Sequence, residues 1–136
     1  MNSVNSYIGS LVGRNVRAML IDLRIHTIIF QMIDYNFPAA SPVSVTFQGV
    51  SSFLIITDQS ASEVPPQFSG SSELRSIIYD DKYIGNVYLH EYNHHRLEKT
   101  SSSINFALTI GELIMLIEAN EVKLGDLSLQ VGYPSE

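Results

Sequence analysis

Along most of this chain apolar residues recur at every second position, in short runs separated by Gly, Pro, Asn, Asp and Ser. That is the pattern of strands joined by turns. From Val16 to Ile33, one parity carries Met19, Ile21, Leu23, Ile25 and Ile29. The other carries Val16, Ala18 and Leu20, then Asp22, Arg24 and His26, then Ile28, Phe30 and Met32. Two strands meeting near Asp22–His26 account for both sets, with the polar residues at the turn. As a helix the segment would be apolar all round, and its Ile, Val and Phe content favours strand.

Other segments follow the same logic. Val43-Ser44-Val45-Thr46-Phe47 alternates, Gly49 interrupts it, and Phe53-Leu54-Ile55-Ile56 resumes, which predicts a strand with a bulge or tight bend at Gly49. Leu74–Tyr79, the turn-like Asp80-Asp81-Lys82, and Tyr83–Tyr92 read as a hairpin. Ile104, Phe106 and Leu108 alternate before a turn at Gly111; Leu113, Met115, Ile117 and Ala119 alternate after it. Asn120-Glu121 reads as a further turn, and Gly125-Asp126 separates Val122–Leu124 from Leu127, Leu129 and Val131. Ser3–Val12 is the one helical stretch, with Tyr7, Ile8, Leu11 and Val12 as its apolar side and Gly13 as a stop. Segments 35–42, 58–72 and 93–103 are loops, of which 58–72, with Pro65-Pro66, is the longest and the best placed to bind something. The expected fold is mainly β, α+β at the margin. It is an antiparallel β-sandwich or barrel-like sheet with one short N-terminal helix, in a single domain over 1–136.

Composition narrows the function. Of 136 residues, 45% are apolar and 16% charged, enough for a core. Eight Lys and Arg against fourteen Asp and Glu leave a net charge of −6, which disfavours phosphate-contacting nucleic-acid binders and suits a basic partner. The absence of cysteine excludes disulfides and thiolate metal sites and fits a reducing cytosol. The N-terminus lacks the basic start and apolar run of a signal peptide, and the apolar windows 16–33 and 104–119 carry polar and charged interruptions, so no membrane association is expected.

One motif carries chemistry. His90-Glu91-Tyr92-Asn93-His94 spells H-E-x-x-H, followed by His95. On a helix the two His would hold one zinc and Glu91 would act as general base. A third ligand would come from Glu112, Glu118 or Glu121, and Glu118 would be the natural choice if 112–120 were helical. The residues entering the motif favour strand, however, and Gly85-Asn86 weakens a helix. In a strand His90 and His94 stand roughly 13 Å apart, too far for one zinc. Composition alone produces such a match in about one chain per hundred. A polar strand end running into a solvated turn is therefore the expectation, with zinc held by His90, His94 and Glu118 as the alternative.

Elsewhere, Asp22, Arg24 and His26 form either a small polar site or a solvated hairpin end, the second being expected. The Ser-rich stretches contain no G-x-S-x-G elbow, and no glycine-rich phosphate loop occurs. Tyr79, Tyr83, Tyr88 and Tyr92 fall in one predicted hairpin, next to His95; a tyrosine-bearing sheet face serves binding or packing equally well.

The run Leu11-Val12-Gly13-Arg14-Asn15-Val16, an alternating strand pair, and Val43–Val50 with its Phe47-Gln48-Gly49-Val50 end resemble small bacterial all-β proteins of uncharacterised families, over residues 11–57. Some of these look like immunity proteins encoded beside polymorphic toxins. The resemblance implies binding and no catalytic residues, and the acidic balance would suit a basic toxin domain. The expected function is a non-enzymatic cytosolic protein-binding module of the immunity type, needing no cofactor. Its contact surface would comprise Tyr79, Tyr83, Tyr88, Tyr92 and His95. The alternatives are a minimal zinc-dependent peptidase and a structural subunit of a homo-oligomer.

Overall fold

The alternation between Val16 and Ile33 folds into two antiparallel strands, β1 (Asn15–Asp22) and β2 (Thr27–Ile33), with the turn at Leu23–His26 as expected. The computed structural model describes residues 3–33, 42–57, 72–81, 84–89 and 100–132. Within these the remaining strands are β3 (Val43–Gln48), β4 (Ser52–Thr57), β5 (Leu74–Tyr79), β6 (Gly85–Leu89), β7 (Thr100–Ile104), β8 (Phe106–Ile110), β9 (Leu113–Glu118), β10 (Glu121–Leu124) and β11 (Leu127–Gln130). A short helix, α1 (Ser3–Gly9), precedes them. They form a five-stranded sheet ordered β1-β2-β3-β10-β11, a four-stranded sheet ordered β4-β9-β8-β5, and the ribbon β6-β7. All pairings are antiparallel and no barrel closes, so of the two expected architectures the sandwich-like one is observed.

The two sheets are halves of one bent ladder. β3 pairs with β10 up to Gln48↔Glu121, and β4 pairs with β9 from Ser52↔Glu118. Between these rungs both chains turn from one sheet into the other, at Gly49–Ser51 and at Ala119–Asn120. Sandwich corners are commonly made by strands that switch sheets at a bend. Gly49 has φ 65, a conformation that costs little without a Cβ, so the bend read at Gly49 is real but the strand beyond it belongs to the other sheet. The turn read at Asn120-Glu121 is the matching crossing: β9 and β10 do not pair with each other.

The buried amide of Asn105 holds the corner. Its Nδ2 donates to the Ala119 carbonyl at 2.8 Å and to the Gly132 carbonyl at 3.4 Å, and its Oδ1 accepts from the Ala119 N–H at 3.1 Å. Both backbone groups of Ala119, which the crossing takes out of the ladder, are thus satisfied by one side chain.

The core lies between the sheets. Phe30, Val45, Phe47 and Val122 project from the five-stranded sheet, and Ile77, Phe106, Leu108, Met115 and Ile117 from the other. Phe47 meets Phe106 across the interface, with ring centroids 4.9 Å apart and planes at 72°, an edge-on geometry worth about 0.5–1.5 kcal/mol beyond burial. α1 closes one flank with Val4 and Ile8, followed by Leu11. It ends at Gly9, earlier than the expected Val12, and continues as i→i+3 turns through Val12 to Gly13, whose φ is 99. Tyr7 and Val12, assigned to its apolar side, are exposed, while Val4 is buried.

The expected hairpin of 74–79 with 83–92 does not form. β5 pairs with β8, from Leu74↔Ile110 to Tyr79↔Phe106, and β6 pairs with β7. The β5/β8 ladder continues into the ribbon through Asp80 N–H to Asn105 carbonyl and Ile84 N–H to Ile104 carbonyl. β5 and β6 therefore run in the same direction, beside β8 and β7, and are not a reversed pair. Tyr79 explains the preference: its ring packs on Phe106, centroids 5.0 Å apart, which fixes β5 beside β8. No helix among the described residues is long and apolar enough to cross a membrane.

Asn105→Ala is expected to lower the unfolding free energy by about 2–4 kcal/mol, because it orphans a buried N–H and a buried carbonyl. Urea denaturation checks this; a loss under about 0.5 kcal/mol would mean that water replaces the amide and that Asn105 does not hold the corner.

Candidate binding surface

Strand alternation gives each sheet an inner and an outer face. Outward from the five-stranded sheet point mainly polar side chains, among them Gln31, Ser44, Thr46, Lys123 and Ser128, with Leu20 and Ile29 as an apolar exception towards β1. This is the usual division for an antiparallel sheet with one wet face.

The four-stranded sheet breaks that rule. Its register aligns Leu54, Leu116, Ala107 and Ile78 in one outward row across all four strands. The next row holds Ile56, Ile114, Thr109 and Ser76. Leu54, Ile56, Ile78 and Ile114 are 39%, 42%, 50% and 40% exposed. Neither row contains a charge. β5, at one edge, is covered on its far side: the Asn5 amide accepts from Tyr79 N–H and donates to its carbonyl, both at 2.9 Å, and Gly13 and Arg14 bond Leu74. β4 is the other terminal strand.

Charges bracket the apolar rows. On β9, Ile114, Leu116 and Glu118 share the outward parity, and Glu112 is exposed in the turn before it. Asp80 follows Ile78 by two residues, just past the end of β5, and is exposed. Glu73 and Arg75 line a depression of about 510 Å³ with Gly111 and Glu112, and Arg75 donates to the Gly111 carbonyl at 3.3 Å. The β8–β9 turn has two residues, and Gly111 with φ 58 at the first is the type II′ placement.

A second exposed apolar group sits on the β1–β2 turn. Leu23 and Ile25 are 67% and 62% exposed, and Leu23 lines a cleft of about 360 Å³ with His26 and residues 50–53. His26 occupies the left-handed region at φ 54, and its carbonyl accepts from Val50 N–H at 2.9 Å. Asp22 accepts from the Arg24 side chain at 3.2 and 3.3 Å and from its backbone N–H at 3.1 Å. Those bonds hold the Asp22 carboxyl below its usual pKa and raise that of Arg24. Asp22 is thereby engaged with its own turn, in keeping with the solvated hairpin end expected for Asp22, Arg24 and His26.

The remaining expected site residues divide as follows. Tyr79 is 7% exposed and packs in the core against Phe106, so its ring is a packing residue and takes no part in a tyrosine-bearing surface. Burial raises its pKa first, and the carboxylates of Asp81 and Asp80 add to the effect. Tyr88 lies on β6 opposite Ser101, but its side chain lies outside the described atoms. Tyr83, His90, Glu91, Tyr92, His94 and His95 lie outside the described residues. The strand entering the motif is extended, as expected: β6 runs from Gly85 to Leu89, where it pairs with Thr100. Glu118 ends a strand and not a helix, which removes the condition under which it was the natural third ligand; its carboxylate accepts from the Ser51 hydroxyl. The outward apolar rows were missed in the sequence reading. Their signal was present, since Ile114 and Leu116 fill the parity opposite to Leu113, Met115 and Ile117.

Tyr79→Phe should leave stability near neutral pH almost unchanged. A folded-state pKa raised above the unfolded value means that the native state holds the proton longer. Its stabilising contribution is full below the unfolded value and is lost as pH rises through the folded one. The variant should therefore lose less stability than the parent above about pH 10. Thermal unfolding against pH measures this; identical alkaline profiles would contradict the raised pKa of Tyr79.

Comparison with protein families matches residues 4–128 to the model described as YxiG-like protein. No curated protein matches the chain.

Proposed function

The chain belongs to the YxiG-like protein family, and for it we propose a non-enzymatic role as a protein-binding module. The observation that supports this most is the outward face of the four-stranded sheet, where one row is apolar across every strand while the opposite sheet is mainly polar outside. Leaving Leu54, Ile56, Ile78 and Ile114 in water forgoes burial at roughly 25 cal/mol per Å². Contiguous apolar surface of this kind marks interaction sites. The net charge of −6 favours a basic partner, and the immunity-type reading, with a basic toxin domain bound in the cytosol, rests on the resemblance over residues 11–57.

Pairwise co-expression of the full chain with the products of the genes flanking its own tests the proposal. The expected result is a stoichiometric complex with a basic protein that survives gel filtration and weakens with salt. The reading is overturned if the purified chain hydrolyses peptides with added zinc and Glu91→Ala abolishes the activity, which is the result a minimal peptidase built on His90, Glu91 and His94 requires. A stable homo-oligomer that binds none of those products would likewise replace the reading with a structural subunit.

A further inference from the structure

The face that supports protein binding also specifies the chemistry of what it binds. β9 runs second in the sheet, between β4 and β8; its outward residues read Ile114, Leu116 and Glu118, and exposed Glu112 lies in the turn just before it. An apolar pair is thus bracketed by carboxylates six residues apart, at most about 20 Å at the rise of a strand. Asp80 adds a third carboxylate at the Glu118 end, and Arg75 lies beside Glu112 at the other. Resting on the protein-binding reading, we infer that this face docks a partner segment with an apolar stripe and a Lys or Arg at each end. The two cations stand at most about 20 Å apart, the length of roughly six extended residues or a helix of about thirteen.

Charge and area both choose this occupant over a second copy. The apolar row across four strands, with Ile56 and Ile114 beside it, fits within roughly 19 by 14 Å, under 300 Å², against about 800 Å² per partner in a standard interface. A dimer would have to draw the rest from the surrounding rim, where the carboxylates of Glu112, Glu118 and Asp80 would face carboxylates of the second copy. A cationic segment instead gains from those carboxylates, and at a rim such pairs act mainly on association rate and salt dependence. The apolar rows then supply the desolvated centre that anchors an interface.

Two labelled peptides of equal length test this on the full chain by fluorescence anisotropy. Both carry the same Leu/Ile stripe; one has Lys at both ends, the other Glu. The Lys peptide is expected to bind at least tenfold more tightly, and its affinity should fall at least tenfold in Ile78→Thr/Ile114→Thr and severalfold in Glu112→Gln/Glu118→Gln. Thr keeps strand propensity at these exposed positions, and circular dichroism confirms folding. Leu20→Thr/Leu23→Ser, on the other sheet and its turn, should leave binding unchanged. Equal affinity for both peptides, no binding, or equal loss in the Leu20/Leu23 variant overturns the assignment. So does concentration-dependent dimerisation that Ile78→Thr/Ile114→Thr removes. If a basic partner is captured by co-expression and that pair of Thr substitutions leaves the complex intact, the protein-binding reading stands and this face is not where it acts.

Discussion

Everything in this structure hangs on one bent ladder. β3 with β10 and β4 with β9 are the same strand pair, folded over itself where Gly49–Ser51 and Ala119–Asn120 cross between sheets. A crossing removes backbone groups from the ladder inside the molecule, and an unpaired buried amide costs about as much as the bond it lost. Asn105 answers that demand at Ala119, with its one donor group and its one acceptor. Because Asn105 also joins β7 to β8, the corner, the start of the ribbon and the core strand carrying Phe106 are all located together.

The bend then dictates sidedness. Once Phe47 faces Phe106, every residue of the same parity on the flanking strands must face inward, since a slip of one residue would turn the whole set out. On the five-stranded sheet this leaves mainly polar side chains outside. On the four-stranded sheet it leaves Leu54, Ile56, Ile78, Ile114 and Leu116 outside, because those strands are apolar at both parities. Strands of that composition normally lie buried on both faces. The protein therefore carries a sheet built for two-sided burial with one side open, and carboxylates at the ends of that side.

How much of this the sequence discloses depends on whether the signal is local. Strand existence is local: alternation located β1, β2, β3, β8, β9 and β11, and the turns at Gly111 and Gly125 follow from glycines at φ 58 and 60. Pairing is not local. Asp80-Asp81-Lys82 has the composition of a tight turn, yet β5 joins β8, over twenty-five residues away, because Tyr79 finds Phe106 there. The same contact moves Tyr79 from an expected surface to the core. The outward apolar face required both parities of β9 to be read together, and only register shows that Ile114 and Leu116 align with Leu54, Ile56 and Ile78.

The openness of that face is the central claim, and methyl NMR with a soluble gadolinium chelate measures it residue by residue. The δ-methyls of Ile56, Ile78 and Ile114 should be broadened strongly, approaching Ile25 at the exposed turn, while those of Ile77, Ile110 and Ile117 stay sharp. Protection of Ile78 and Ile114 equal to that of Ile77 and Ile117 would contradict the account, since the face would then be covered within the protein itself.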